Sequence, residues 1–483
     1  MDRKIKIGLL IFALFSLVYF LSVRGNIEIS DTGFSVQTAK SIVTKHSLSI
    51  QECRGGYSYK SEKDAKCYSK FGLGLALIFT PYVLLGKIVA TLSSLPEAQT
   101  INFLISFYNI FFGAGACVVM FYIIKFFGGS DRISLNMALL LGLGTFCWRY
   151  SIWDFSEAAQ MFFLALSIYC VLRNSIKSLS WGAFSLCCLL LLKAIYIIYI
   201  PIFIIYILTK NRQDAKDTLT RAGMFLLIIL AGFSLILLLN YIRFGEFFEF
   251  GYGLEAREFY FLGIQEHVKK LLYWLDKGVF IYNPLFILGI LGYCKLFKLF
   301  QKEAIFFLSI ITFHLLLTSM WYSWHGDWSW GPRYLVPTAP LWLVPCFLFF
   351  NKKGIVKIVL ILFIFVSLSI QIVSILQGNL EYLTICNTHN QEGFKKGMPA
   401  QIIGAAITLK HKLIKNDNVY SLSEFGVNSN TQIDVSQAGY RGFDFWYLHL
   451  ARHFNKPWLK YLPLLFLPFI AILFIRLFKI TAI

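Results

Sequence analysis

Charge is scarce in this sequence. Asp, Glu, Lys and Arg make up 15% of the 483 residues, while 57% are hydrophobic. A soluble globular chain carries about 25% charged and roughly 45–50% apolar residues. The shortage is greatest for acids, with 26 against 45 basic side chains. Mean hydropathy is +0.64, and uncharged apolar runs such as 101–124 and 222–242 suit lipid rather than water. A soluble enzyme, a transcription factor and a secreted binding domain are excluded. No CxxC pair occurs among the ten cysteines, so they build no zinc site and read mainly as small buried hydrophobes. Walker, GxGxxG and DxD-like motifs are missing, which argues against a soluble nucleotide-linked donor. No internal repeat is found either, which weakens a transporter made of inverted halves.

What is present is a membrane pattern. Apolar stretches at 7–23, 101–124, 133–149, 155–172, 180–192, 195–209, 221–242, 280–297, 303–320, 334–350, 355–376 and 458–478 read as twelve spans. The expected fold class is an all-α polytopic membrane protein of about 12 transmembrane helices, with 11–13 as the range. The stretch 71–92 is apolar enough to be a thirteenth span, but Gly72, Gly74, Pro81, Gly86 and Lys87 suit an interfacial or re-entrant segment better. Charge decides between them. With 71–92 not crossing, nineteen Lys and Arg residues, from Arg3 to Lys479, fall on inner segments. Three short outer turns then hold only Arg149, Lys193 and Arg333. This topology explains the net charge of +19 without nucleic acid as a partner.

Both termini are therefore expected in the cytoplasm of a bacterial inner or plasma membrane, with 7–23 as a retained signal anchor. Three large outer pieces remain: 24–100, 243–279 and 377–457. The chain divides into a transmembrane module at 1–376, a small α/β outer domain at 377–457, and a last helix with its tail at 458–483. Cys53 and Cys67 share the first outer loop and would pair in an oxidising compartment, leaving Cys386 over.

Ionisable side chains at membrane depth are costly and point to function. Asp31, just after the first span, can act as a general base toward a hydroxyl group, or can simply cap the following helix. Asp154 and Glu157, at i and i+3 where the fourth span opens, face one side of that helix. Asp154 also suits the helix dipole, whereas Glu157 lies deeper, with a polar cavity as its alternative. Lys70, Lys193 and Arg333 all fall on the outer side, where three cations imply an anionic ligand. Snorkelling competes for Lys193, and pairing with Asp327 for Arg333. Trp328 and Trp330, in the run 321–330 that holds four of the eleven tryptophans, join Tyr68 and Tyr334 as candidate sugar or headgroup contacts. An interfacial aromatic belt accounts for one or two of them. His449 and His453 have metal-like i, i+4 spacing but no third ligand in sequence, so they read as a surface helix.

At these residues the sequence resembles the GT-C superfamily of integral-membrane glycosyltransferases, notably bacterial relatives of the protein O-mannosyltransferases and of the lipid A aminoarabinose transferase. The likeness covers most of 1–350. It comprises the acid after span one, Tyr68-Ser-Lys-Phe-Gly-Leu-Gly, Ser156-Glu157, Leu192-Lys-Ala with Pro201, Arg243-Phe-Gly-Glu with Gly251-Tyr, Lys277-Gly-Val-Phe with Asn283-Pro, and Trp328-Ser-Trp-Gly-Pro-Arg-Tyr, in that order. The resemblance implies an inverting transferase for a hexose or pentose carried on polyprenyl phosphate, with the acceptor a hydroxyl of a glycan, lipid or protein. Asp31 would activate that hydroxyl, Lys70 and Lys193 would hold the donor phosphate, and Glu157 would be a second acid. Membrane lipids are the other partners. Ser69 stands where some relatives have a metal-binding Glu, so no metal or other cofactor is expected. Two rivals remain, a transporter or flippase of an anionic lipid-linked sugar and a polysaccharide polymerase or ligase.

Overall fold

The structure is a computed structural model describing residues 2–210, 214–253, 259–327, 329–378, 381–385, 400–415, 417, 419–425, 432–435 and 442–482. Helix α1 (Arg3–Ser22) leads into three first-loop helices, α2 (Ser30–Lys45), α3 (Leu73–Ser93) and α4 (Glu97–Ile105). Then come α5 (Tyr108–Phe126), α6 (Asp131–Gly144), α7 (Cys147–Ser151), α8 (Glu157–Arg173) and α9 (Ile176–Leu192). They are followed by α10 (Tyr199–Lys210), α11 (Ala215–Phe244), α12 (Ile264–Tyr273), α13 (Val279–Tyr282) and α14 (Leu285–Leu299). The bundle ends with α15 (Gln301–Met320), α16 (Ala339–Leu343), α17 (Ile355–Leu376) and a final helix over Leu462–Ala482. Helix forms within all twelve of the apolar stretches read as spans. Among the described residues, seven helices are long and apolar enough to cross a membrane, and α3 is one of them.

The burial pattern suits lipid. Large apolar side chains point outward, as with Leu227, Ile358 and Phe365 at 63–68% exposure, while Asn109, Ser167, Ser185 and Gln371 are fully buried. Their donor groups all go to backbone carbonyls. Ser167 donates to the Gly182 carbonyl (2.8 Å) and Ser185 to that of Phe163 (2.7 Å), tying α8 to α9. Hydroxyl-to-carbonyl bonds between close helices hold bundles together where lipid leaves little hydrophobic drive.

One end of the bundle collects charge. Arg3, at the start of α1, pairs with Asp131 at the start of α6 (3.2 Å), which also takes Lys125 (2.9 Å). Arg3 donates to the Ile480 carbonyl as well (2.7 Å), so both ends of the chain meet there. Lys210 and Glu303 pair at 3.6 Å. The Arg3–Asp131 contact puts the start of α1 and the start of α6 at the same end of the bundle. Helix α3 packs along α2 and α4 and meets α9 near its own start, where Gly72 and Gly74 lie on the Leu191–Leu192 backbone. It is nonetheless one continuous helix rather than a broken segment. Pro81 lies within it, and Gly86 serves to admit Ile101 of α4.

This arrangement predicts that a cysteine placed at Asp214, beside the α10–α11 turn, reacts with an impermeant thiol reagent only after cells are opened. Labelling from outside in sealed cells would reverse the orientation.

At the other end, strands β1 (Ser49–Ile50), β2 (Ser58–Lys60) and β3 (Cys67–Ser69) form an antiparallel sheet with β3 central. A Cys53–Cys67 disulfide closes the loop that precedes β3. The described part of 377–457 holds a helix over Gln401–Lys410, a two-stranded pair of β4 (Val419–Ser421) with β5 (Gln432–Asp434), and a helix over Trp446–His453. Cys386 lies outside the described residues. Trp446 docks this segment on the end of α1 through backbone and indole bonds to the Val23 and Phe20 carbonyls (3.0 and 2.8 Å).

Candidate active site

The starts of α2, α3 and α8, the ends of α9 and α11 and the loop after α15 converge around a cavity of about 720 Å³. Asp31, Lys70, Glu157, Lys193, Arg333 and Tyr334 all line it. Five of these are charged, and they arrive from five separate stretches of sequence.

Asp31 sits in the first turn of α2. No side-chain bond caps this helix at its N-terminus, which begins after Ile29. The plain capping role is therefore not what Asp31 does. Its carboxylate is 36% exposed to the cavity and lies 4.0 Å from Arg333 Nη2. Surrounding protein raises its pKa from the ordinary value near 3.8, and Glu157 adds to this, against the lowering pull of Arg333, Lys193 and Lys70.

Asp154 lies outside the cavity lining and does a different job. Its Oδ2 accepts the backbone N–H groups of Glu28 (3.2 Å) and Ile29 (3.0 Å), and Thr32 donates to its carbonyl (2.6 Å). It thus holds the turn that carries Asp31. Burial and the nearby Glu28 carboxylate push its pKa up to about 7, offset in part by the Ile29 N–H. The turn around it is satisfied from α5, where Tyr108 and Asn109 donate to the Phe155 carbonyl.

Glu157 opens α8 and is almost fully buried. Lys193 Nζ approaches its Oε1 at 3.5 Å, and among the described residues Oε2 has no hydrogen-bond partner. Lys193 breaks the helix after α9 in an extended conformation and turns into the cavity, 4.8 Å above the Tyr334 ring, rather than out to an interface. Arg333 donates to the Tyr334 hydroxyl (2.8 Å) and stacks on Phe155 (4.5 Å). Among the described ion pairs its partner is Asp31, not Asp327. Lys70 follows β3 directly, with its ammonium 5.3 Å from the Tyr252 ring centre. At Gly72 any Cβ would run into the Leu191 and Leu192 carbonyls, so glycine is what lets the Lys70 loop come this close to Lys193.

The aromatic candidates divide. Tyr334 lines the cavity. Tyr68 is buried beneath it, its hydroxyl bonded to Asp64 (2.8 Å) and its ring edge-on to Phe244. Trp330 is fully buried against Tyr282, with its carbonyl taken by Tyr150 (2.9 Å). Trp328 lies outside the described residues. His449 pairs with Asp444. Among the described residues no three His, Cys, Asp or Glu side chains form a metal-holding group.

The solved archaeal oligosaccharyltransferase AglB from Archaeoglobus fulgidus, in complex with an inhibitory peptide and a dolichol-phosphate, superposes with a TM-score of 0.51 over 80% of this chain and 57% of that one, at 10% identity. The chain shares the fold of this oligosaccharyltransferase. The apo form of the A. fulgidus oligosaccharyltransferase matches with a TM-score of 0.50 at 11% identity, covering 80% of this chain and 58% of that one. ArnT from Cupriavidus metallidurans bound to undecaprenyl phosphate matches at 14% identity and a TM-score of 0.47, over 79% of this chain and 64% of that one. The chain therefore spans less than two thirds of each of these proteins. No family model and no curated protein sequence matches it.

Three supports of this cavity carry no role in the sequence reading. Arg243, buried at the end of α11, donates to the carbonyls on either side of Lys70, those of Ser69 (3.3 Å) and Phe71 (3.1 Å). Lys277 gathers the carbonyls of Asp327 (2.8 Å), Ser329 (2.6 Å) and Gly331 (3.3 Å), shaping the loop that presents Arg333. Burial, then Arg333, pushes the Lys277 pKa down to about 7. His314 bridges the Tyr199 hydroxyl and the Tyr334 carbonyl. A lone cation or His at the edge of an apolar run, or inside one as for His314, is the sequence signal they share.

Proposed function

We propose that this chain is an inverting glycosyltransferase that moves a hexose or pentose from a polyprenyl-phosphate donor to an acceptor hydroxyl on the extracytoplasmic face of the membrane. The observation that carries this reading is the gathering of two carboxylates, Asp31 and Glu157, with three cations, Lys70, Lys193 and Arg333, on one cavity. The fold shared with an oligosaccharyltransferase solved with dolichol-phosphate supports a lipid-phosphate donor. So does an aliphatic wall of Leu190, Leu191, Ile236 and Leu239 on the same cavity, which suits a prenyl chain.

In this mechanism the cations hold the donor phosphate, and the acceptor hydroxyl meets Asp31. The acceptor oxygen attacks the anomeric carbon from the face opposite the phosphate. The new C–O bond forms as the sugar–phosphate bond breaks, and the breaking bond's electron pair leaves with the phosphate. The hydroxyl proton passes to the Asp31 carboxylate. Negative charge grows on the leaving phosphate, so cations already in place stabilise the transition state more than the ground state. They supply the charge stabilisation in this proposal, which has no role for a metal.

The test uses vesicles with the cavity end outward, loaded with polyprenyl-phosphate sugar. The sugar is expected to leave the lipid only when the protein and a hydroxyl acceptor (glycan, lipid or peptide) are both present. Transfer of the intact lipid-linked sugar between leaflets, with its phosphate bond unbroken, would instead make the protein a flippase.

A further inference from the structure

Beside its charged pole the cavity has an aromatic one, for which the transfer step has no use. Trp321 is its centre. The rings of Phe259 and Tyr322 each lie 4.8 Å from it, and Tyr252 stands edge-on at 6.2 Å. The wall is built by the fold. A backbone bridge joins Phe259 to Trp321, and the Tyr260 N–H donates to the Met320 carbonyl (2.8 Å). All four rings line the cavity, together with Ser323 and Asp327. The Asp327 side chain is 60% exposed, and Lys277 fixes its carbonyl. The aromatic and charged poles are continuous. The Lys70 ammonium lies against Tyr252, and Gly326, next to Asp327, packs on the Arg333 side chain. The aliphatic wall comes from α9 and α11, so a prenyl chain has no need of this surface.

A sugar ring presents one largely apolar C–H face and a rim of hydroxyls. Fixed aromatic faces suit the first, and Ser323 and the Asp327 carboxylate suit the second. An extended peptide would call for a sheet edge offering rows of backbone partners, and a lipid acceptor would call for aliphatic surface. We infer that the acceptor is a saccharide, stacked on the Trp321–Phe259 wall with one hydroxyl turned toward Asp31. The role of that hydroxyl rests on the transferase reading above. The binding of the saccharide does not.

The full-length protein in nanodiscs is tested against an array of mannose, glucose, galactose and N-acetylglucosamine oligosaccharides and a Ser/Thr-rich peptide. Bare polyprenyl phosphate and polyprenyl-phosphate mannose serve as donor probes. At least one oligosaccharide is expected to bind, and Trp321→Ala to weaken it about tenfold. Trp321→Phe, which keeps a stacking face, is expected to retain binding within about threefold, and Asp327→Asn to weaken it severalfold. The ratio of affinities for the two donor probes should not change. Three results would overturn the inference: no Trp321-dependent saccharide binding, peptide binding in its place, or loss of the preference for the sugar-bearing lipid in Trp321→Ala. The last would give the wall to the donor's own sugar. A protein that binds saccharide on Trp321 but never consumes lipid-linked sugar would refute the transferase reading alone.

Discussion

Replacing Asp31 with Asn is expected to abolish transfer in a protein that still folds and still binds donor. The substitution conserves shape, and the only described ion pair it removes is a 4.0 Å contact with Arg333. General-base assistance accounts for roughly 10²–10⁴-fold in rate, so the residual activity should fall by at least about that range. The base must be ionised to work. Because the surroundings of Asp31 raise its pKa, the acid limb of the pH–rate profile should lie above the ordinary carboxylate value near 3.8. Activity is then present above that limb and lost as pH falls through it. Full turnover by well-folded Asp31→Asn protein would remove the base from the mechanism. An acid limb at or below 3.8 would show that some other group governs it.

Lys193→Gln is expected to weaken donor binding about tenfold to a hundredfold, the scale of one lost charge-assisted contact to phosphate. The structure sharpens this expectation. Snorkelling would send the ammonium outward, whereas Lys193 turns in toward Glu157 and Tyr334. A change in Glu157 could mimic the loss, since among the described residues its Oε2 already has no hydrogen-bond partner. The double variant Lys193→Gln with Glu157→Gln separates the two. If Lys193 acts on phosphate, the double variant binds donor as poorly as the single one; if it only neutralises Glu157, affinity returns. Donor titration of purified protein reads both cases, and an affinity within about twofold of the parent's for the single variant would take Lys193 out of the site.

The charged lining was legible in the sequence for one physical reason. A charge inside or beside an apolar run costs free energy, so Asp31, Glu157, Lys193 and Arg333 stand out against their surroundings. Their grouping around one cavity was implied by the shared outer side and by the resemblance, not by spacing, because it depends on contacts between stretches remote in the chain. Arg243 and Lys277 went unassigned because they act on backbone carbonyls, which every residue has and no sequence pattern marks. The tryptophan run misleads in part. Trp330 has the composition of a sugar-binding loop but fills a core position against Tyr282, while Trp321 lines the cavity. Helix existence was plain from apolar length, but the continuity of α3 through Pro81 was not. Proline and glycine weaken a helix locally, and packing on α2 and α4 overrides them.

The grip of Asp154 on the turn before α2 also bears on how the protein is made. Thr32 and Asp154 bond across 122 residues of sequence. When Asp31 leaves the ribosome, the side chain that will hold its turn has not yet been synthesised. Chain growth at roughly 5–20 residues per second separates the two by several seconds or more. Through that interval α1, α5 and α6 can enter the membrane while the acid is still unanchored. The turn that carries Asp31 is therefore set late in assembly, once Asp154 arrives, and a nascent chain stalled before that point would carry Asp31 on a turn that nothing yet holds.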